Sequence, residues 1–184
     1  MNPTILIPVN EELVIRRYRE GDQETLVKYI NNRNVWLNLS DRVPHPYTRK
    51  DADQWIAHTQ KEDPPQNFAI ANDREIIGGI GLIFREGIHR HSAELGYWLG
   101  EPFWGRGIMT RVVRTFIDWA FRSYPLKRIF AAVYESNPAS SRVLEKAGFI
   151  LEGRFRKAVI KNDQFLDLYY YAILREEVLS SQSK

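Results

Sequence analysis

The chain's 184 residues are 43% hydrophobic and 27% charged, with 26 basic against 23 acidic residues and a formal net charge of +3. That is the balance of one ordinary globular domain, large enough to bury a core, with no apolar run long enough to span a membrane. Cysteine is absent, which excludes disulfides, thiolate metal sites and a covalent cysteine intermediate, and fits a reducing cytoplasm.

"MNPTILIPVNEEL" has no basic region followed by an apolar stretch, so no secretion signal is expected. "LVIRRY" (13–18) alternates weakly and reads as a first strand. Asp22 is placed to cap a helix carrying Leu26, Tyr29 and Ile30 on one side. The stretch 33–48 holds Pro44 and Pro46 and reads as irregular. Thr48 with Asp51 forms a capping-box pattern ahead of Ala52, Trp55, Ile56 and Thr59 at helical spacing, and Pro64-Pro65 closes that segment.

"NFAIANDREIIGGIGLIF" predicts a hairpin turning at Asn72-Asp73; its Gly78, Gly79 and Gly81 point to a bulge or a close backbone neighbour. "HSAELGYWLG" (91–100) is the next strand, on one face of which His89 and His91 would fall together. No third ligand accompanies them, and no metal site is expected. A helix follows from Ile108, then the strand "KRIFAAVYES", the short helix "PASSRVLEKA", and a hairpin around Asn162-Asp163. The closing "SSQSK" is expected to fray. Strands and helices alternate without repeats or a linker, predicting one domain over 1–184 of mixed α/β class around a central sheet, with 1–10 and 178–184 as flexible ends.

The chemistry concentrates at "YWLGEPFWGRGIMT", where a strand hands over to a helix through Gly105-Arg106-Gly107. Ile108, Met109, Val112, Val113, Phe116, Ile117, Ala120 and Phe121 mark one face of that helix. A helix start carries unpaired amides and partial positive charge. Glycines let a phosphate approach those amides, and Arg106 adds a formal charge: a seat for a pyrophosphate on the backbone from Gly105 to Thr110. The alternative is a plain tight turn. Downstream, "NPASSRVLEKAGF" places Asn137 as N-cap, Pro138 at the first helical position and Gly148 past the end.

In this order, "LVIRRYREGD", "AELGYWLGEPFWGRGIMT" and "NPASSRVLEKAGFILEGRFRK" resemble the GNAT-fold N-acetyltransferases, and within them the RimJ/RimL type that acetylates protein N-termini and related amines. The resemblance implies a mixed, mostly antiparallel sheet flanked by helices, with strands splayed at the cofactor site, and acetyl-CoA as co-substrate. It implies that the backbone around Trp98 and Leu99 receives the pantetheine arm and polarises the thioester carbonyl, and that Asn137 faces that arm. Against the family pattern [Q/R]-x-x-G-x-[G/A], the first position is Trp104 and the last Met109, so only Gly107 matches. Where many relatives carry a tyrosine general acid, this chain has Leu144.

Acetyl transfer needs a neutral amine, a polarised carbonyl and a proton for the thiolate. A protein α-amine has a pKa of about 8 and a lysine about 10.4, so a base must take a proton. Glu94 is the candidate; the alternative is a structurally paired strand glutamate. Ser140 or Ser141 would protonate the thiolate, unless a thiol of pKa about 8.5 leaves unaided. Arg142 and Lys146 would meet the adenosine phosphates or stand as solvated charge. Trp36 and Trp55, with Tyr97, Trp98, Phe103 and Trp104, are core or wall an acceptor channel. The expected partners are acetyl-CoA and an amine, either a protein N-terminus, ribosomal ones included, or a small amine. Neither a membrane nor a nucleic acid is expected, and the assembly is a monomer or homodimer. Two rivals stand beside the enzyme: a non-catalytic CoA-binding module, and a ribosome- or RNA-associated protein suggested by the pI of 9.1 and "GRFRK" (153–157).

Overall fold

In the computed structural model, which describes residues 5–179, the strands are β1 (Leu6–Pro8), β2 (Val14–Arg16), β3 (Asn67–Ala71), β4 (Ile76–Phe84), β5 (Ser92–Leu99), β6 (Arg128–Tyr134), β7 (Ile150–Lys161) and β8 (Gln164–Leu174). They join one sheet in the order β1-β2-β3-β4-β5-β6-β8-β7. The β5–β6 pair is parallel, and the β1–β2, β2–β3, β3–β4, β6–β8 and β7–β8 pairs are antiparallel. The helices are α1 (Gln23–Ile30), α2 (Arg33–Trp36), α3 (Arg49–Gln60), α4 (Ile108–Ser123), α5 (Pro138–Lys146) and α6 (Arg175–Leu179). Among the described residues no helix is long and apolar enough to cross a membrane. The chain forms two compact units: Met1–Gly81 with Tyr97–Ile108, and Leu82–Gly96 with Met109–Lys184.

In the first unit Tyr18, Leu26, Ile30, Ala52, Ile56, Ala69 and Ile76 form a core, with Trp55 and Trp98 packed at its margin. The capping box of α3 is present: Asp51 N–H donates to Thr48 Oγ1 at 3.3 Å, and Thr48 N–H to the Asp51 carboxylate at 2.7 Å. Asp22 does precede α1, but its side chain makes no cap bond. It accepts the Arg16 guanidinium fork at 2.8 Å on each oxygen and the Arg19 N–H at 2.9 Å. A charge-assisted bidentate pair outcompetes one neutral cap bond. The β3–β4 hairpin turns as expected, on Asn72 Oδ1 accepting the N–H groups of Arg74 and Glu75. Its glycines have close neighbours: a Cβ on Gly78 would strike the carbonyl oxygen of Trp98, and one on Gly79 the Tyr18 hydroxyl and the Trp98 indole.

Three expectations for this unit are corrected. Leu6–Pro8, within the stretch expected to be a flexible end, pairs with β2 as β1. The strand over 13–18 shortens to Val14–Arg16, because the chain then turns to meet Asp22. The supposedly irregular 33–48 begins with α2, nucleated by Asn32, whose Oδ1 accepts the N–H groups of Asn34 and Val35.

In the second unit α4 buries Val112, Val113, Phe116, Ile117, Ala120 and Phe121, as its periodicity predicts. At about 1.5–3 kcal/mol for each large side chain, this stripe is a principal contribution to the unit's stability. The β7–β8 hairpin turns at Asn162 (φ 49°) and Asp163 (φ 60°), as a two-residue turn of this hand requires. His89 and His91 do not share a strand face. His89 closes a 3₁₀ turn (Gly87–His89) begun at Gly87 (φ 59°), and His91 precedes β5 with Nδ1 2.7 Å from the Pro125 carbonyl oxygen. Val178 and Leu179, expected in a flexible end, belong to α6. The expectations for residues 1–4 and 180–184 lie outside the described residues.

Candidate active site

The glycine junction is held from its start. After β5, residues Glu101–Phe103 make a 3₁₀ turn. The Glu101 carboxylate accepts from Asn34 Nδ2 at 2.8 Å and from Asn32 Nδ2, which ties the turn to the head of α2. Phe103 sits edge-on to Tyr29 at 5.6 Å. Trp104, the departure from the family pattern, donates its indole N–H to the Leu99 carbonyl at 2.7 Å, folding the loop back onto the end of β5.

Gly105 (φ 74°) and Gly107 (φ 68°) then adopt left-handed conformations, which cost an L side chain about 1–2 kcal/mol each. Nothing lies within 4 Å of a Cβ built on Gly105. The tight turn and the bare approach are therefore the same feature. α4 follows, and the first four amides of any α-helix lack intrahelical acceptors. Ile108 and Met109 bury their side chains, so their contribution at this surface is backbone. Arg106 is exposed, its guanidinium 6.0 Å from the Phe103 ring. A helix start with two left-handed glycines and an exposed arginine is built here.

α5 begins as its sequence predicts. Asn137 Oδ1 accepts the Ser140 N–H at 3.2 Å, and Pro138 takes the first position. Leu144 is fully buried, so this position carries packing and no proton. The Tyr171 phenol donates to Glu145 Oε1 at 3.1 Å, and burial pushes that phenol up. Ser140 is half-buried in the first turn. Arg142 and Lys146 are exposed, and the Lys146 carbonyl accepts Arg114 Nε at 3.0 Å.

The parallel β5–β6 ladder runs from Ser92↔Arg128 to Glu94↔Phe130 and stops there, although β5 continues to Leu99 and β6 to Tyr134. Along β6, Ile129, Ala131 and Val133 are buried while Arg128, Phe130, Ala132 and Tyr134 are part-exposed. Glu94, in register with Phe130, lies on the more open face. There Phe130 stacks on Tyr170 at 6.2 Å, and Tyr170 meets Phe155 at 4.5 Å. Glu94 Oε2 accepts from Arg85 Nη2 at 2.5 Å. The paired-glutamate alternative is thus realised on one oxygen, with the Glu94 side chain still 29% exposed.

The candidate residues divide between the units: Trp98, Leu99, Gly105, Arg106, Gly107 and Ile108 in the first, Glu94, Met109, Thr110, Asn137, Ser140 and Arg142 in the second. Trp55 and Trp98 both donate to the Tyr18 phenol, whose burial pushes it well above the usual tyrosine range. Both pack at the margin of the first unit's core. Trp36 stacks on His45 at 5.0 Å and donates to the Val43 carbonyl at 3.0 Å. Arg85, Phe130, Tyr170 and the Asn32–Asn34–Glu101 tie were not singled out from the sequence. A lone arginine after a strand and alternating aromatics in strands carry no local signal.

Residues 12–150 match the family model described as Acetyltransferase (GNAT) domain. The chain belongs to the GNAT family. This GNAT chain is 40% identical over 163 residues to the probable N-acetyltransferase YjcK of Bacillus subtilis, spanning 84% of this chain and 89% of that protein. It is 30% identical over 174 residues to the ribosomal-protein-serine acetyltransferase of Escherichia coli, spanning 92% and 96%. Among solved structures it is similar to the microcin C7 self-immunity acetyltransferase MccE in complex with acetyl-CoA and AMP, with a TM-score of 0.77, 25% identity, and 90% and 94% of the two chains covered. The GNAT chain is an N-acetyltransferase with acetyl-CoA as donor, similar to the RimJ/RimL type. The fold and family implied by the sequence resemblance both stand.

Proposed function

We propose that this GNAT enzyme acetylates a primary amine, either a protein N-terminus or a small amine, by direct attack on acetyl-CoA in a cytoplasmic ternary complex. The observation that carries the reading is the pair of left-handed glycines heading α4, with open space over Gly105. Amides from Gly105 to Thr110, with Arg106, take the pyrophosphate, and Arg142 meets an adenosine phosphate. The early end of the β5–β6 ladder supports assigning the Trp98 and Leu99 amides to the pantetheine arm and the carbonyl oxygen. The Leu99 carbonyl is already bonded to Trp104, which leaves the amide as that residue's contribution. A single preorganised donor of this kind is worth about 2.7–4 kcal/mol in other enzymes.

Acetyl-CoA supplies an acyl carbon activated by a thioester. Glu94 takes the amine proton, Asn137 orients the donor's arm, and the Ser140 hydroxyl hands its proton to the departing thiolate as it takes one from water, so that it ends the step as a hydroxyl. Leu144 has no proton to give, and Ser140 is the hydroxyl whose own amide Asn137 caps at the head of α5, which favours it among the α5 candidates. The likeness to a ribosomal-protein-serine acetyltransferase favours a protein N-terminus beginning with serine as acceptor. The test is free-thiol release from acetyl-CoA across a panel of acceptors: peptides with free N-terminal serine, alanine or methionine, spermidine, an aminoglycoside and simple amines. Thiol release matched by acetylated product is expected. Acetyl-CoA bound without turnover on any acceptor would leave a binding module, and RNA affinity falling steeply with salt would favour the nucleic-acid reading.

A further inference from the structure

We propose that Arg85 is a positioning residue, a clamp that fixes the Glu94 carboxylate for proton abstraction. The proposal rests on Glu94 being the base. Arg85 is the first residue past β4, and its N–H donates to the Ser92 carbonyl at 3.1 Å, which sets it beside β5. Its side chain then lies across the sheet, with the guanidinium 5.2 Å from the Phe130 ring centroid and Nη2 2.5 Å from Glu94 Oε2. Phe130 is the register partner of Glu94, so one ring carries the cation that holds its neighbour.

The other groups on this face do not duplicate the role. Arg128 of β6 lies 5.9 Å from the same ring, but its Nη1 and Nη2 are bonded to Glu152 of β7. Tyr170 of β8 stacks on the far side of Phe130's strand. Arg85 is the cation committed to Glu94, and the bond uses Oε2, so Oε1 is the oxygen offered to the amine. A glutamate whose side chain is 29% exposed would otherwise sample several rotamers. Held at one oxygen over an aromatic floor, it presents the other in one place. General-base catalysis depends on that geometry before anything else.

The test compares Arg85→Met, Arg85→Lys, Glu94→Gln and the Arg85→Met/Glu94→Gln double variant, using acetyl-CoA and the fastest acceptor of the panel above. Methionine keeps an apolar stem over Phe130 and removes the guanidinium. With the Arg85 side chain 44% exposed, folding is not at stake, and melting curves check it. Arg85→Met is expected to lower kcat about tenfold with the acetyl-CoA KM unchanged, less than the roughly 10²-fold of a full 1 Å misplacement. Arg85→Lys restores part of the loss, and in the Glu94→Gln background Arg85→Met costs nothing further. If Glu94→Gln alone is impaired but Arg85→Met is silent, or equally costly in both backgrounds, the clamp is overturned and the base stands. If Glu94→Gln keeps the parental kcat, base and clamp fall together.

Discussion

Asn137 has two assigned tasks, capping α5 and orienting the donor's arm, and they can be separated. Its Oδ1 accepts the Ser140 N–H at 3.2 Å, one of the few amides at the α5 start with a side-chain partner. Asn137→Ala removes that acceptor at a cost of about 1 kcal/mol. For a chain of 184 residues this lowers Tm by about 2–4 °C. Asn137→Asp keeps an acceptor, placed favourably at a helix N-terminus, so the unliganded Tm should return to the parental value. Aspartate has no amide to donate, however, so the cofactor role stays lost. The assay is melting with and without CoA. At a CoA concentration of 100 times Kd the parental protein gains about 2.7 kcal/mol. A tenfold weaker variant at that same concentration forfeits about 1.3 kcal/mol of the gain, roughly 3–5 °C of the ligand-induced shift. Asn137→Asp with a full parental shift would refute the orienting role and leave a helix cap.

Gly107→Val forces a branched side chain to φ 68°, costing about 1–2 kcal/mol of stability and blocking the pyrophosphate seat. Calorimetry should find acetyl-CoA affinity lost in the folded variant, and unchanged affinity would move the seat elsewhere. Glu94→Gln should lower kcat by about 10²-fold or more, with acetyl-CoA affinity intact. Parental turnover across pH would assign the base to another group or to solvent. Ser140→Ala should cost about ten- to a hundredfold in kcat, the upper figure being the floor for full acid catalysis. Full activity would mean that the thiolate leaves without this hydroxyl.

What could be read from the chain was what repeats or caps locally. α4 and α5 were legible because eight apolar residues recur at helical spacing in one, and Asn137-Pro138 and Gly148 bracket the other. β1 was not, since a three-residue strand offers too little alternation to register. α2 was masked by the prolines further along the same stretch, though its start hangs on one asparagine. Asp22 shows the limit of local rules: the residue stands where a cap belongs, yet an arginine six residues earlier takes its carboxylate.

The same contrast divides the candidate site. Its proposed cofactor half could be assigned from sequence because one contiguous turn contains the two left-handed glycines, the cation and the helix start. Its catalytic half depends on residues far apart in sequence: Glu94 acquires its partner across a hairpin and its floor from β6. Leu144 narrows the remaining question. Being fully buried, it is a core residue where the family resemblance implies a proton donor. The proposed mechanism then has two routes for the leaving proton, through Ser140 or from water alone. A thiol of pKa about 8.5 is a good enough leaving group to make the second chemically sound. The Ser140→Ala rate therefore decides whether this enzyme replaced the tyrosine of its relatives or dispensed with a general acid.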